Sequence, residues 1–467
     1  MLKAGAAALD ITPPLGVVLA GSYEPRWAAG IDDPLHARAL VLEDESGPAG
    51  RIALVCCDLI AMPGETVAAA RALIARSGDV PSDRVLIAAT HTHTAPSPTG
   101  LLGTPRADAY MDALPERLAT VVRLAAQRLA PARAGWGTGH EDGVAFNRRF
   151  RMRDGTVRMN PGALNPEIVA PCGPIDPELG VLWVEREDGS PVAVVASFAL
   201  HYVGTDRSDH VSADYFGHYA RWMQRIYGPD LVPMLFNGAQ GDVNGVDIRV
   251  RAPLKGHAMA RRVAGIIAGE TLRVVERLRP AAASVTLGAS QTRFSFRRKR
   301  ITEGDLAIAA RLLALPEELP ARELRGAAGL DPSGPFSWVV GQPLPDNALR
   351  LWARECQYLA AMPEELETEL QALRVGNAAI VSLPGEAFVE LGLAIKRGSP
   401  FGPEHAGVTL VAVLANDYAG YIGTRRAIEE EGSYETWAAR SSLPAAGTGE
   451  AMVEETLRLL GQLAATA

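Results

Sequence analysis

Short, largely apolar runs recur along the first half of the chain, separated by stretches with helical spacing. Residues 37–42 and 52–57 are two such runs, parted by the turn-forming Glu45-Ser46-Gly47-Pro48, and 84–89 and 134–138 are two more. Runs this short, with no polar alternation, predict strands buried on both faces. Residues 65–76 and 110–129 carry apolar positions at helical intervals. Strand–helix alternation predicts an α/β fold: mixed β-sheets flanked by helices, with at least partly parallel pairing. Further on, Gly189-Ser190-Pro191 predicts a hairpin between 180–184 and 192–198, and helices over 215–226 and 256–278 bracket a strand at 232–236. From 293 to 363 the texture changes to a basic cluster (Arg297, Arg298, Lys299, Arg300) and helical stretches. That segment reads as a helical insertion, lid or buttress, in a single domain over 1–467. Its 297–347 portion is expected to shape any pocket.

Polar residues with chemical potential follow several of the strands, where α/β folds place their sites. Asp58 follows Cys57, His91 and His93 follow Ala89, and His201 follows Ser197-Phe198-Ala199-Leu200. Asn237 and Asp242 follow Phe236, Glu386 follows Leu383-Pro384-Gly385, and Asp417, Tyr418 and Tyr421 follow 410–414. Histidines at i and i+2 on a strand end would face the same side, and neutral imidazole is a common metal ligand. Taken alone, His91-Thr92-His93 is equally compatible with two solvated loop histidines.

Hydrophobic residues make up 48% of the 467, which supports a sizeable core, and the formal net charge of −8 argues against a nucleic-acid-binding surface. No window offers 18 uninterrupted apolar residues, so no transmembrane segment is expected. The start of the chain lacks a basic, then apolar, leader pattern. Cys56, Cys57, Cys172 and Cys356 form neither a disulfide framework nor a Cys-x-x-Cys motif. These features predict a cytoplasmic protein, with a homo-oligomer left open. Neither a Gly-x-Ser-x-Gly elbow nor a His-Glu-x-x-His helix occurs, and Gly238-Ala239-Gln240-Gly241 lacks the Lys-Ser/Thr of a phosphate loop. His36 and His210, beside acidic residues, read as structural.

A set of fragments resembles the neutral/alkaline, non-lysosomal ceramidase family. They include Asp10-Ile11-Thr12-Pro13-Pro14, Thr90-His91-Thr92-His93-Thr94, Asn147-Arg148, Ser197-Phe198-Ala199-Leu200-His201 and Asn237-Gly238-Ala239-Gln240-Gly241-Asp242-Val243. Pro384-Gly385-Glu386, Asn416-Asp417-Tyr418-Ala419-Gly420-Tyr421 and Ser433-Tyr434-Glu435 follow in the family's order. The resemblance implies a ceramidase-like fold and one Zn2+ per chain, held by His91, His201, Glu386 and Tyr421, the last matched in preference to Tyr418. It also implies that His93 and Arg148 lie beside the reacting amide and that Tyr434 contacts the substrate carbonyl. Two imidazoles, a carboxylate and an open position suit a hydrolytic zinc site; spacing alone leaves manganese and iron open.

Two departures bear on substrate. Asn244 stands where ceramidases carry a serine after Gly-Asp-Val, and an amide cannot serve as a serine-type nucleophile. The chain closes on a helical pattern at 456–460 rather than continuing into an immunoglobulin-like domain, so a single-domain relative is expected. The sequence therefore predicts a metal-dependent amidohydrolase acting through activated water on a small or lipid-like amide. An ester or lactone hydrolase on the same site, and a catalytically silent binding protein of the same fold, are the alternatives.

Overall fold

The computed structural model describes residues 1–251, 254–278, 285–330 and 336–465. Two mixed sheets lie face to face with helices outside both. The first sheet contains β1 (Lys3–Asp10), β2 (His36–Glu43), β3 (Ile52–Cys57), β4 (Val85–Ala89), β5 (Ala130–His140), β6 (Glu178–Arg186), β7 (Pro191–Phe198) and β8 (Val232–Asn237). Their order is β8-β7-β6-β5-β1-β2-β3-β4, with β3–β4 and β7–β8 parallel and the other pairs antiparallel. The second sheet runs β9 (Leu287–Arg297), β10 (Glu365–Val375), β11 (Ala378–Leu383) and β12 (Val408–Val413), parallel only at β11–β12.

Period-two burial explains the continuous apolar runs. On β3, Ile52, Leu54 and Cys56 join the core between the sheets, facing Ile380 and Leu410 of the second sheet. Ala53, Val55 and Cys57 point the other way, into the layer with Val67 and Ile74 of α1 (Gly64–Ser77) and Leu114 and Leu118 of α2 (Asp108–Gln127). A strand covered on both faces has no solvent side to mark with polar residues. α3 (Asp214–Tyr227) and α4 (Gly256–Val275) cover β6–β8 through Tyr215, Tyr219 and Ile267. No helix among the described residues is long and apolar enough to cross a membrane.

The expected hairpin is present, with Gly180 opposite Ser197. The insertion begins later than its basic cluster suggests: β9 continues to Arg297 because it pairs with β10 along its whole length, Arg297 facing Glu365. Between these strands, α5 (Glu303–Leu313), α6 (Ala321–Ala327) and α7 (Leu349–Ala361) bury a small core of their own around Leu312, Leu349 and Trp352. The insertion is tied to the 434–442 segment rather than hinged over a cleft. Glu355 grips the Arg440 guanidinium at 2.7 and 2.9 Å, and the buried Lys299 ammonium donates to the Ser442 carbonyl at 2.8 Å.

Candidate functional site

His91 and His93 lie just beyond β4, but not on extended strand. His91 adopts φ +79°, a left-handed conformation uncommon outside glycine. Its amide donates to the Leu59 carbonyl at 2.8 Å and its Nδ1 to the Ile60 carbonyl at 2.6 Å. The expected same-side projection from a strand therefore fails as a reason. What directs the rings is a turn pinned to the segment after β3, which still brings His93 Nε2 to 3.2 Å from His91 Nε2.

His201, just past β7, places its Nε2 3.1 Å from His91 Nε2. Glu386 sits on a two-residue strand, Glu386–Ala387, paired in parallel with Tyr421–Ile422. Its Oε2 lies 3.3 Å from His91 Nε2 and 3.8 Å from His201 Nε2. The Glu386 amide donates to the Gly420 carbonyl at 2.9 Å, and Gly420, at φ +77°, packs so closely on the next segment that a Cβ there would fall 2.1 Å from the Ser441 carbonyl carbon.

All four residues are 3% exposed or less except His93, which is half-buried. Burial, then its imidazole neighbour His91 and Arg26, holds His93 well below the usual imidazole range. Burial and the Arg148 charge do the same for His201. Burial opposes the charge on Glu386, but His91 and Arg148 outweigh it and keep the carboxyl below its usual range. A metal ion requires neutral imidazole and ionised carboxylate donors, the directions in which His201 and Glu386 are shifted.

Other contacts set which nitrogen faces the cluster. Ile60 takes the Nδ1–H of His91, and Gln240 Oε1 lies 3.3 Å from His201 Nδ1, leaving both Nε2 lone pairs aimed inward. Gln240→Ala is expected to weaken metal affinity by about 10- to 100-fold without unfolding the chain, as competitive chelator titration would show.

The fit to a metal can be tested on these atoms. Donors about 2.0–2.2 Å from a tetrahedral ion lie about 3.3–3.6 Å from one another, close to the 3.1–3.8 Å separations here. Glu386 Oε2 is also buried without a hydrogen-bond partner. The ring nitrogens of His91, His93 and His201 lie within 4.8 Å of one another and can hold a metal ion.

Two tyrosines meet the cluster differently. Tyr418 donates to Glu386 Oε1 at 3.2 Å, whereas the Tyr421 hydroxyl accepts from Arg148 Nη2 at 3.1 Å. Arg148 donates from Nε to Glu435 Oε1 at 2.7 Å. Burial disfavours its charge, but Tyr421, Glu435 and Glu386 keep it protonated. Tyr434 packs edge-on against Tyr421 with ring centroids 5.7 Å apart. Burial raises both phenols well above their usual range, so each keeps a proton to donate.

His91, His93, Arg148, His201, Glu386, Tyr421 and Tyr434 all line one cavity of about 910 Å3. Tyr418 lines it as well, whereas Asp58, Asp417, Asn237 and Asp242 do not. Asp58 pairs with Arg38 at 2.9 Å, Asp417 accepts the Gly64 amide at 3.0 Å, and Asn237 reaches the Thr90 carbonyl. Asp242 holds the Val389 amide and Asn147, not a histidine. Gln240, Glu435 and Tyr202, which stacks on His93 at 3.5 Å, have roles at the site that no sequence pattern marks. Nor does any described residue of the 297–347 segment line the cavity, whose described wall comes instead from residues such as Tyr23, Leu101, Asn160 and Asn244. The insertion stands behind that wall, with Trp352 against Tyr23 and Tyr434.

No protein-family sequence profile matches the chain. It is 26% identical over 450 residues to the neutral ceramidase of Pseudomonas aeruginosa, a match covering 85% of this chain. The chain is a homologue of neutral ceramidase. It spans 62% of that relative's length. The crystal structure of neutral ceramidase from Pseudomonas aeruginosa aligns over 99% of this chain and 74% of its own, with a TM-score of 0.71 at 20% identity. A ceramidase complexed with C2 aligns over 100% and 75%, with a TM-score of 0.71 at 19% identity. The expected fold, mixed sheets flanked by helices in the ceramidase manner, is the one observed.

Proposed function

We propose that the chain is a zinc-dependent amidohydrolase that cleaves the carbon–nitrogen bond of an N-acyl or related amide. The observation carrying this reading is the convergence of His91 Nε2, His201 Nε2 and Glu386 Oε2 within 3.1–3.8 Å, at the wall of a cavity shared with Arg148 and Tyr434. The similarity to neutral ceramidase supports the reaction class.

In this reading His91, His201 and Glu386 hold the ion and Tyr421 completes the set. Zinc in such a site supplies Lewis acidity and lowers the pKa of a water ligand toward neutrality. The chain's own residues do the rest. His93, held neutral by burial, accepts a proton from the attacking water and returns it to the leaving amine. Arg148, fixed by Glu435, and the Tyr434 hydroxyl donate to the oxygen that gains charge as the amide carbon becomes tetrahedral. Asn244 accepts the Val246 amide at 3.0 Å and donates to Asn160 at 3.1 Å; it offers no nucleophile, so attack falls to water.

Mass spectrometry of the purified protein should find about one zinc per chain. A panel of N-acyl amides and lactones then tests the bond cleaved. Amine release supports the proposal, and lactone opening with no amine release from any amide overturns its amide half. His93 has its own test, because its Nε2 is also within ligand reach. His93→Ala should keep the zinc and lose turnover by about 10^2 or more; loss of the zinc would make His93 a ligand instead.

A further inference from the structure

Among the titratable groups on the cavity wall, cations outnumber anions, opposite to the chain as a whole. The chain carries a formal charge of −8, yet Glu386 is the only carboxylate lining the cavity among the described residues. Arg148 is neutralised from behind by Glu435. Two further cations line the same cavity, Arg251 and Lys255, both exposed. Neither has an acidic partner among the described residues, whereas nearby Arg249 is held by Asp247 at 2.8 Å.

Lys255 also occupies an unfavourable place for its charge. It is the N-cap of the 20-residue α4, whose first turn contains no acidic residue. The helix dipole disfavours a cation there, and lysine makes no side-chain cap. Asp206 reaches the His257 amide at 3.4 Å but makes no ion pair with Lys255. Asp206 supplies the negative charge that this helix end favours, so what lacks a partner is the pair of cations on the cavity wall, as is expected where a ligand supplies the missing charge.

We propose that the substrate carries an oxyanion away from its scissile amide, seated against Arg251 and Lys255, as in an N-acyl amino acid. This rests on the amidohydrolase reading for the reaction but not for the binding. Unpaired cations in a concave wall concentrate anions and steer them inward, and an oxyanion accepts charge-assisted hydrogen bonds from both side chains. A neutral N-acyl amine would leave both cations without a partner.

The test compares N-dodecanoylglycine with N-dodecanoylglycinamide, which differ only in the carboxylate, on the zinc-loaded protein. The acid is expected to be preferred by about tenfold or more in kcat/KM, chiefly through KM, with the preference shrinking as salt is raised. In Arg251→Ala/Lys255→Ala the preference should fall to near unity. A preference for the neutral amide, or an acid preference that survives in the double variant because the carboxylate sits at the metal, overturns the proposal. So does a double variant whose only change is weaker association with vesicles containing phosphatidylglycerol, which would make the pair a membrane contact. Calorimetric binding of the two ligands separates this proposal from the reaction: no turnover of either amide, with an acid preference in binding that needs Arg251 and Lys255, supports the anion subsite and leaves the bond cleaved to the wider panel of amides and lactones.

Discussion

Glu386→Gln is expected to lose its zinc on dialysis and to turn over amides slower by a factor on the order of 10^3 or more. The change keeps the shape of the side chain and removes the charge that two imidazoles face at 3.3 and 3.8 Å. A neutral amide oxygen is a poor ligand for zinc beside histidines. His91→Ala should give the same two losses together, because His91 Nε2 is the atom closest to the other donors. Metal content and rate must be read on the same sample. Either variant retaining zinc with near-normal turnover would show that this ligand set is wrong. Thermal unfolding of the metal-free variants should stay near that of the metal-free parent, since neither change leaves a new charge unpaired.

Arg148→Met should behave differently, damaging fold and reaction at once. Arg148 and Glu435 form an ion pair at 2.7 Å with side chains 5% and 0% exposed. Removing one partner of such a pair leaves a buried charge and costs about 3–5 kcal/mol. Arg149 Nε remains 3.6 Å from Glu435 Oε2, so the loss belongs near the lower figure. Turnover should fall by about 10^2, the scale of one lost donor to a developing oxyanion. The double variant Arg148→Met/Glu435→Gln separates the two effects. It should recover most of the stability in denaturant titration and none of the rate. If it recovers the rate too, Arg148 acts only by packing.

The main sheet was readable because its strands are short and covered on both sides, which leaves an unbroken apolar signature such as Ile52–Cys57. The sequence pattern shows only 134–138 of β5, because Gly135, Gly137 and Gly139 have little strand preference; pairing with β6 from Arg186 to Glu178 carries the strand through them. β9 was obscured for a related reason. Phe294 and Phe296 alternate with polar residues as a half-covered strand should, but the adjoining arginines resemble the start of an insertion. At the site, residues with distinctive chemistry could be named in advance, whereas those acting through another side chain could not. Gln240 matters because it meets His201, and Glu435 because it meets Arg148, and neither contact leaves a local pattern. The 297–347 segment shows the limit of reading position as role: it supports the cavity wall from outside.

The donor atoms at 91, 201 and 386 come from segments just past β4, β7 and β11, carried by two different sheets that meet across one core. Contacts so distant along the chain form only after large loops have closed, and that closure is the slow, entropically costly part of folding. The ion therefore has no assembled site to bind until the two sheets have docked. Metal should thus leave the refolding rate almost unchanged and act on the reverse step, with saturating zinc slowing unfolding. A chain that loads its metal so late spends its early life without it, so the protein core must hold the two sheets together unaided.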